Sequence, residues 1–344
     1  MPFSPSQLEH PIVQAPLGGG ASTPALAAAV CEAGGLGFLA AGYLSAAAAG
    51  ADVEALRDLT DRPFGVNLFA PPQPVPDPEA VERYVRRLGA GAGNPRHDDD
   101  DWDAKLAVLA ELRVAVVSVT SGCPEPAVVE RLHAAGAAVW ITVTTAAEAR
   151  TAEAAGADAL VVQGVEAGGH RATFDDATPS DLGLLAALQL LPAATALPLV
   201  ATGGLVTGRA IAAVLAAGAV AAQLGTAFML TPEAGTAEAH REAIATDRDT
   251  ALTRAFTGRT ARGIVNRFMR EHGPHAPLGY PDVHHITAPL RKAARERGDA
   301  DGFHLWAGQA HALAQPVPAG ELVRRLAAEA RAALEETARG TGRV

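Results

Sequence analysis

The chain has 344 residues, a net charge of -10, 49% hydrophobic residues and 19% charged residues. That is globular composition with apolar mass enough for a sizeable core, which excludes wholesale disorder. An acidic chain without a basic stripe excludes nucleic acid and anionic membrane as partners, so any anionic ligand must be held by local dipoles.

At about 150 residues per domain, the length predicts two domains or one large α/β barrel with insertions. Short β-branched runs alternate with Ala/Leu-rich helical stretches as far as residue 224. Uninterrupted apolar runs of this kind are parallel strands buried on both faces. They predict eight strands, at 11–17, 35–40, 64–69, 114–120, 138–143, 159–163, 198–202 and 220–224. Helices are predicted between them at 24–33, 51–59, 104–112, 126–135, 146–155, 181–191 and 208–217. Gly34, Gly136, Gly156 and Gly218 follow four of these helices, where a positive φ favours glycine. Eight β-α steps predict a (β/α)8 TIM barrel. The alternative, a doubly wound sheet, has fewer strands and a glycine fingerprint after the first. A Pro-rich stretch at 71–76 and alternating glycines at 89–93 bound an insertion after strand three. From residue 231 the pattern predicts helices and turns without a strand, packed over the barrel's C-terminal mouth. A last helix is predicted from about residue 319 to 337. The expected division is a barrel at 1–230, a helical substrate-side segment at 231–318, and a C-terminal helix packing back on the barrel at 319–344.

Cys31 and Cys123 form neither a CxxC nor a zinc spacing. A disulfide framework is not expected, and a reducing cytoplasm fits best. The start, Met1-Pro2-Phe3-Ser4-Pro5, lacks the basic and apolar regions of a signal peptide. No stretch has the ~18 apolar residues that a membrane-spanning helix needs.

In a barrel of this kind the active site lies at the C-terminal ends of the strands. Strand one is followed by Ala15-Pro16-Leu17-Gly18-Gly19-Gly20, where glycines let a flat ligand approach the backbone. Strand three carries Asn67, an amide able to bond a heterocycle or, equally, its own loop backbone. Strand four ends at Cys123, which reads as an inert thiol for want of an activating base. Strand six ends in Gln163-Gly164-Val165-Glu166-Ala167-Gly168-Gly169-His170-Arg171. Gln163 can bond a ring edge, Gly168 and Gly169 allow close approach, and His170 is a candidate base, acid or donor. Glu166 and Arg171 read as residues that orient the loop. Strands seven and eight end in Gly203-Gly204 and in Gln223-Leu224-Gly225-Thr226, with a helix starting near Thr207. Backbone N–H groups there, with a helix N-terminus, form a phosphate cradle that needs no lysine.

No metal is expected: His284-His285 and His272…His275 lack a third ligand. The acidic run at 98–101 reads as the start of a solvated helix. No dinucleotide fingerprint, P-loop or GxSxG elbow is present.

Taken together, these residues resemble the nitronate monooxygenase family. The matching pieces are Pro11-Ile12-Val13-Gln14-Ala15-Pro16, Gly65-Val66-Asn67, Gln163 through His170, Ala201-Thr202-Gly203-Gly204 and Gln223-Leu224-Gly225-Thr226. Arg262-Gly263, Asn266-Arg267-Phe268 and Leu305-Trp306-Ala307-Gly308-Gln309 resemble its main bacterial class. The resemblance implies a barrel that binds FMN. Asn67 and Gln163 would contact its ring system, Gly168 would lie against it, and Gly203, Gly204 and 223–226 would hold its phosphate. His170 would be the active-site histidine. Leu17 stands where the family often has Met, and Ala172 where it often has Gly; Leu has similar bulk, so the contact should survive.

The expected reaction is oxidation of an alkyl nitronate, such as propionate 3-nitronate, with O2 to a carbonyl compound and nitrite. For a neutral nitroalkane, His170 would take the α-proton. Candidates for the pocket roof are Tyr280, His284, His285 and Trp306. The leading alternative is an NAD(P)H-dependent enoyl-thioester or quinone reductase on the same barrel. It would use Arg259, Arg262, Arg267, Arg270 and Arg291 as a basic patch for an acyl carrier. A non-catalytic FMN-binding sensor is a third reading, and nothing about it requires His170. A Schiff-base aldolase is disfavoured, because Lys105 and Lys292 lie off the strands. The reading allows a homodimer.

Overall fold

The computed structural model describes residues 3–340. The first two residues and 341–344, the end of the expected third segment, lie outside them. Strands β1 (Ile12–Gln14), β2 (Phe38–Ala40), β3 (Gly65–Phe69), β4 (Val116–Thr120), β5 (Ala138–Val143) and β6 (Ala159–Gln163) are followed by the two-residue β7 (Gly169–His170), then by β8 (Leu199–Thr202) and β9 (Ala221–Leu224). All but β7 form one parallel sheet in the order β1-β9-β8-β6-β5-β4-β3-β2. A parallel bridge between Val13 and Leu36 joins its two edges. The molecule is therefore the (β/α)8 barrel that the eight apolar runs predict.

Side chains alternate across each strand, and the alternation sorts the core into layers. Outward residues such as Val117, Val119, Ile141, Leu160 and Leu224 pack under the helices. Inward residues at the barrel floor, among them Val13, Phe38, Val116, Trp140, Val161 and Val200, form an apolar plug. Above the plug the inward positions turn polar: Asn67, Ser118, Thr120, Thr142, Gln163, Thr202 and Gln223. The strand sequences thus seal one end of the barrel and leave the other hydrophilic.

The helices are α1 (Pro24–Glu32), α2 (Ala46–Arg57), α3 (Pro78–Leu88), α4 (Trp102–Glu111), α5 (Pro126–Ala134), α6 (Ala146–Ala154), α7 (Leu184–Leu190), α8 (Gly208–Ala216), α9 (Glu238–Ile244), α10 (Arg267–His272), α11 (Asp282–Glu296) and α12 (Ala319–Gly340). Gly34, Gly136, Gly156 and Gly218 take φ of 85–99°. Helix α2 begins five residues before its predicted start, because the Ser45 side chain accepts from Ala48 N and caps it. The insertion after β3 contains the amphipathic α3. Helix α12 packs along α8 and α1, and the Glu329 carboxylate accepts from Gly208 N at 3.1 Å.

One expectation fails. The region after residue 231 is not strand-free: β10 (Thr250–Thr253) and β11 (Ala261–Ile264) pair antiparallel, and β11 also pairs with β7. Both strands are four residues long, and β11 carries Arg262 and Gly263 in its interior. It is buried along its whole length, so no period-2 pattern marks it.

Candidate active site

A cavity of about 370 Å³ opens at the polar end of the barrel, within the usual range for small-molecule sites. Ala15, Pro16, Leu17, Gly18, Asn67, Gln163, Gly168, Gly169, His170, Gly203, Gly204, Gln223, Gly225 and Thr226 line it. His284 and Trp306 close over it. Three expected contacts lie elsewhere. Leu224 points outward into the helix-facing core, as alternation from Gln223 requires, and only its carbonyl works at the mouth, accepting from Ala15 N. Tyr280 and His285 line an adjoining groove that shares Tyr43 and His284 with the main cavity.

Strand β7 explains how His170 is placed. Its backbone is held in register against Ala261 of β11. The loop between β10 and β11 then supplies Thr257, whose Oγ1 lies 2.9 Å from His170 Nε2. That hydroxyl also lies 3.3 Å from the Arg259 carbonyl, which can only accept. Donation there makes Thr257 the acceptor from Nε2–H and leaves Nδ1 as the basic nitrogen. Phe69, Tyr280 and Trp306 surround the ring with centroids 5.7–6.3 Å away. Burial, reinforced by the Arg259 and Arg291 guanidiniums, pushes the imidazole down to about 3. His170 is therefore neutral at pH 7.

Gln163 and Arg171 build the loop that carries His170. Gln163 Oε1 accepts from Arg171 Nη1 at 2.7 Å and from Ala172 N at 2.9 Å, and its Nε2 donates to the His170 carbonyl. The fully buried Arg171 also donates to the Gly164 and Ser180 carbonyls. Glu166 accepts from Leu184 N at the start of α7. Asn67 Nδ2 donates to Ser118 and Thr120, which leaves its Oδ1 as an acceptor at the cavity.

Gly168 is needed for packing as well as for lining. A Cβ there would stand 2.5 Å from Ala307 C and 2.6 Å from Gly308 N. The segment 305–309 is tied to this loop by Gln309 N donating to the Glu166 carbonyl and by Gly308 N donating to Thr226 Oγ1. Gly168→Ala should therefore push that segment away and cost about 1–3 kcal/mol. Thermal unfolding of the variant checks this; a midpoint equal to wild type would contradict it.

At the ends of β8 and β9, the N–H groups of Gly203, Gly204, Gly225 and Thr226 have no acceptor among the described residues. Gly203 and Gly204 take φ of 129° and 67°. A 3-10 turn, Thr226–Phe228, follows β9. This is a cradle for an anion made of backbone donors. The N-terminus of α8 does not contribute as expected: Thr207 and Glu329 side chains already accept its first N–H groups.

The acidic run leads into α4 as expected, with Asp101 at the N-cap position though without a side-chain cap bond, but two of its members are also tied into the structure. Asp100 pairs with Lys105 Nζ at 2.8 Å, buried to 1% exposure, and accepts from Tyr43 N. Asp98 pairs with Arg96 and His285. The run thereby holds Tyr43 at φ 67°, with its ring stacked on His284 at 4.2 Å. Tyr43, Thr257 and His304 border or support the site and were missed from sequence, while Arg291, expected only in an acyl-carrier patch, lines the cavity. They come from separate segments, and a neighbouring glycine is a signal only at Tyr43 (Gly42) and Thr257 (Gly258). The five arginines of the expected patch do not form one either: Arg259, Arg262 and Arg291 are buried, while Arg267 and Arg270 are exposed. Cys123 does not line the cavity, and burial raises its thiol.

The sequence profile of the nitronate monooxygenase family matches residues 4–329. The chain is 44% identical to a nitronate monooxygenase of Pseudomonas aeruginosa over 94% of this chain and 97% of that one. It is 40% identical to one of Paraburkholderia phytofirmans, over 96% and 94% of the two chains. Among solved structures, the fold is similar to a nitroalkane oxidase from Streptomyces ansochromogenes, with a TM-score of 0.93, 52% identity and coverage of 97% and 99%. It is also similar to FabK from Thermotoga maritima, with a TM-score of 0.78, 28% identity and coverage of 97% and 96%.

Proposed function

The chain belongs to the nitronate monooxygenase family and is an oxidoreductase, and from that premise we propose that it oxidises alkyl nitronates with FMN and O2, giving a carbonyl compound and nitrite. One observation carries the substrate side of this reading: a neutral imidazole, His170, held at the mouth by Thr257 within an aromatic wall. A nitronate is already deprotonated, so it needs no strong base. It needs an oriented polar partner and a dry cavity, and His170 beside Trp306 and Phe69 is such a place.

The residues present fit FMN. The four free N–H groups at 203–204 and 225–226 suit a phosphate, and the bare Oδ1 of Asn67 suits a ring N–H. Ala15 to Gly18 offer a low backbone surface to a flat ring. When bound, FMN supplies the electron-accepting chemistry that no side chain can. The chain's own task is placement. Gln163 and Arg171 hold the β6 loop, Thr257 orients His170, and the 305–309 segment with Tyr43 and His284 screens the cavity from water. For a neutral nitroalkane, Nδ1 of His170 is the nitrogen that would take the α-proton. That step is handicapped by Arg259 and Arg291, which oppose an imidazolium there, so nitronates are the better substrates.

The test is oxygen uptake by the purified holoenzyme. Propionate 3-nitronate should drive uptake with nitrite release, and NADPH should drive none. Uptake with NADPH alone would move the reading to a reductase on the same barrel.

A further inference from the structure

The hydrogen bonds that fix His170 do not stop at Thr257. The Thr257 hydroxyl accepts from Arg259 N at 3.4 Å and donates to the Arg259 carbonyl at 3.3 Å. A hydroxyl has one proton and two lone pairs. It is therefore full once it also accepts from His170 Nε2–H. The Arg259 carbonyl belongs to the same planar trans peptide as the Thr260 N–H, and the two point in opposite directions. That N–H donates to Asp176 Oδ2 at 2.9 Å. One unbroken chain thus runs from the Asp176 carboxylate, through a single peptide, to Thr257 and the His170 ring. Asp176 is only 6% exposed. Its Oδ2 also accepts from Thr260 Oγ1 at 3.3 Å and from Arg254 Nε at 3.1 Å, whereas its Oδ1 has no partner among the described residues. Arg254 and Thr260 stand at the two ends of the turn that carries Thr257, so one oxygen closes that turn from both ends.

A hydroxyl can rotate. Were the Arg259 carbonyl a poorer acceptor, Thr257 would be free to donate to Nε2 instead. The ring proton would then move to Nδ1, the nitrogen that must stay bare to take an α-proton. A carboxylate on the far side of the peptide polarises it and makes its carbonyl a stronger acceptor. We propose that Asp176 is a positioning residue for the proton-transfer step: through the 259–260 peptide it keeps Thr257 an acceptor, and so keeps the His170 proton on Nε2. The inference rests on the reading above of His170 as the base for neutral nitroalkanes. Asp176 does not line the cavity, so its effect reaches the site only through Thr257.

The experiment reads the His170 tautomer and turnover together. In heteronuclear NMR spectra of holoenzyme labelled in its histidine ring nitrogens, the His170 signals are those lost in His170→Asn. Wild type should carry the proton on Nε2 alone. Asp176→Asn is nearly isosteric and can still accept from Thr260 N, so the turn should stay closed, but the charge is gone. It should populate the Nδ1–H form and lower kcat for nitroethane about 10–100-fold, while kcat for ethyl nitronate falls by no more than about threefold. Asp176→Glu, which keeps the charge, should recover most of the nitroethane rate. Added to Thr257→Val, Asp176→Asn should cause no further loss, because both act through one hydroxyl. Equal losses on the two substrates, or losses that add to those of Thr257→Val, would overturn the relay and leave Asp176 a structural residue. Should Asp176→Asn fold poorly, the wild-type spectrum still decides: a proton on Nδ1 overturns the relay, and one confined to Nε2 supports it. The tautomer is read without turnover, so the two readings fail separately. A shifted tautomer in a protein that oxidises no nitro compound sinks only the functional reading. An unshifted tautomer in Asp176→Asn removes the relay whatever the enzyme oxidises.

Discussion

His170→Asn should slow turnover of neutral nitroalkanes by about 10²–10⁴-fold, the usual contribution of a positioned base, while nitronate turnover stays within about tenfold of wild type. Asn can still hydrogen-bond to Thr257, so the loop should hold, but it cannot take a proton. The split between the two substrates is the informative quantity. Proton abstraction is needed only for the neutral form, and His170 Nδ1 is the nitrogen left bare by the bond from Nε2 to Thr257. Steady-state kcat/KM for a nitroalkane and its own nitronate, measured on both proteins, gives that split. Equal losses on the two substrates would show that His170 acts on binding or structure and not on the proton.

The fold should also be acid-labile. His170 is held at about 3, His240 at about 4 and His284 at about 2, and His304 well below its ordinary value, in each case chiefly by burial. Their folded values lie below the unfolded value of about 6.5. Between the two the unfolded chain binds more protons, so stability is full above about pH 6.5 and is lost as pH falls. Each such group costs about 1.4 kcal/mol per pH unit. Four rings at one end of the barrel make this large against a total stability of about 5–15 kcal/mol. The thermal midpoint should drop by about 10 °C between pH 7 and pH 5, and His170→Asn should shallow the slope. A midpoint flat across that range would mean that these rings are charged or solvated in the folded protein.

The barrel itself was legible because a parallel strand covered on both faces is an unbroken apolar run. Ala138–Val143 and Ala159–Gln163 match their predicted limits, and other strands lie inside longer runs. The cavity lining was legible for a related reason: a barrel gathers its strand ends at one mouth, so the residues just after each strand are the ones that line it. Leu224 breaks that rule, because the two-residue alternation of a strand sends it outward even though Gln223 and Gly225 on either side face the cavity. Strands β10 and β11 escaped because they are short and carry no alternating pattern. With them escaped Thr257, whose role exists only once β11 pairs with β7. The roof was hardest. Tyr43, Arg291 and His304 are brought together by an acidic run, a helix and a loop far apart in the chain. A buried arginine also looks no different in sequence from the exposed ones around it.

Anaerobic mixing of the purified holoenzyme with one reductant at a time tests the central claim most directly. The visible band of the bound flavin should change at once with propionate 3-nitronate and stay unchanged with NADPH. Rapid bleaching by NADPH with no response to the nitronate would contradict the account.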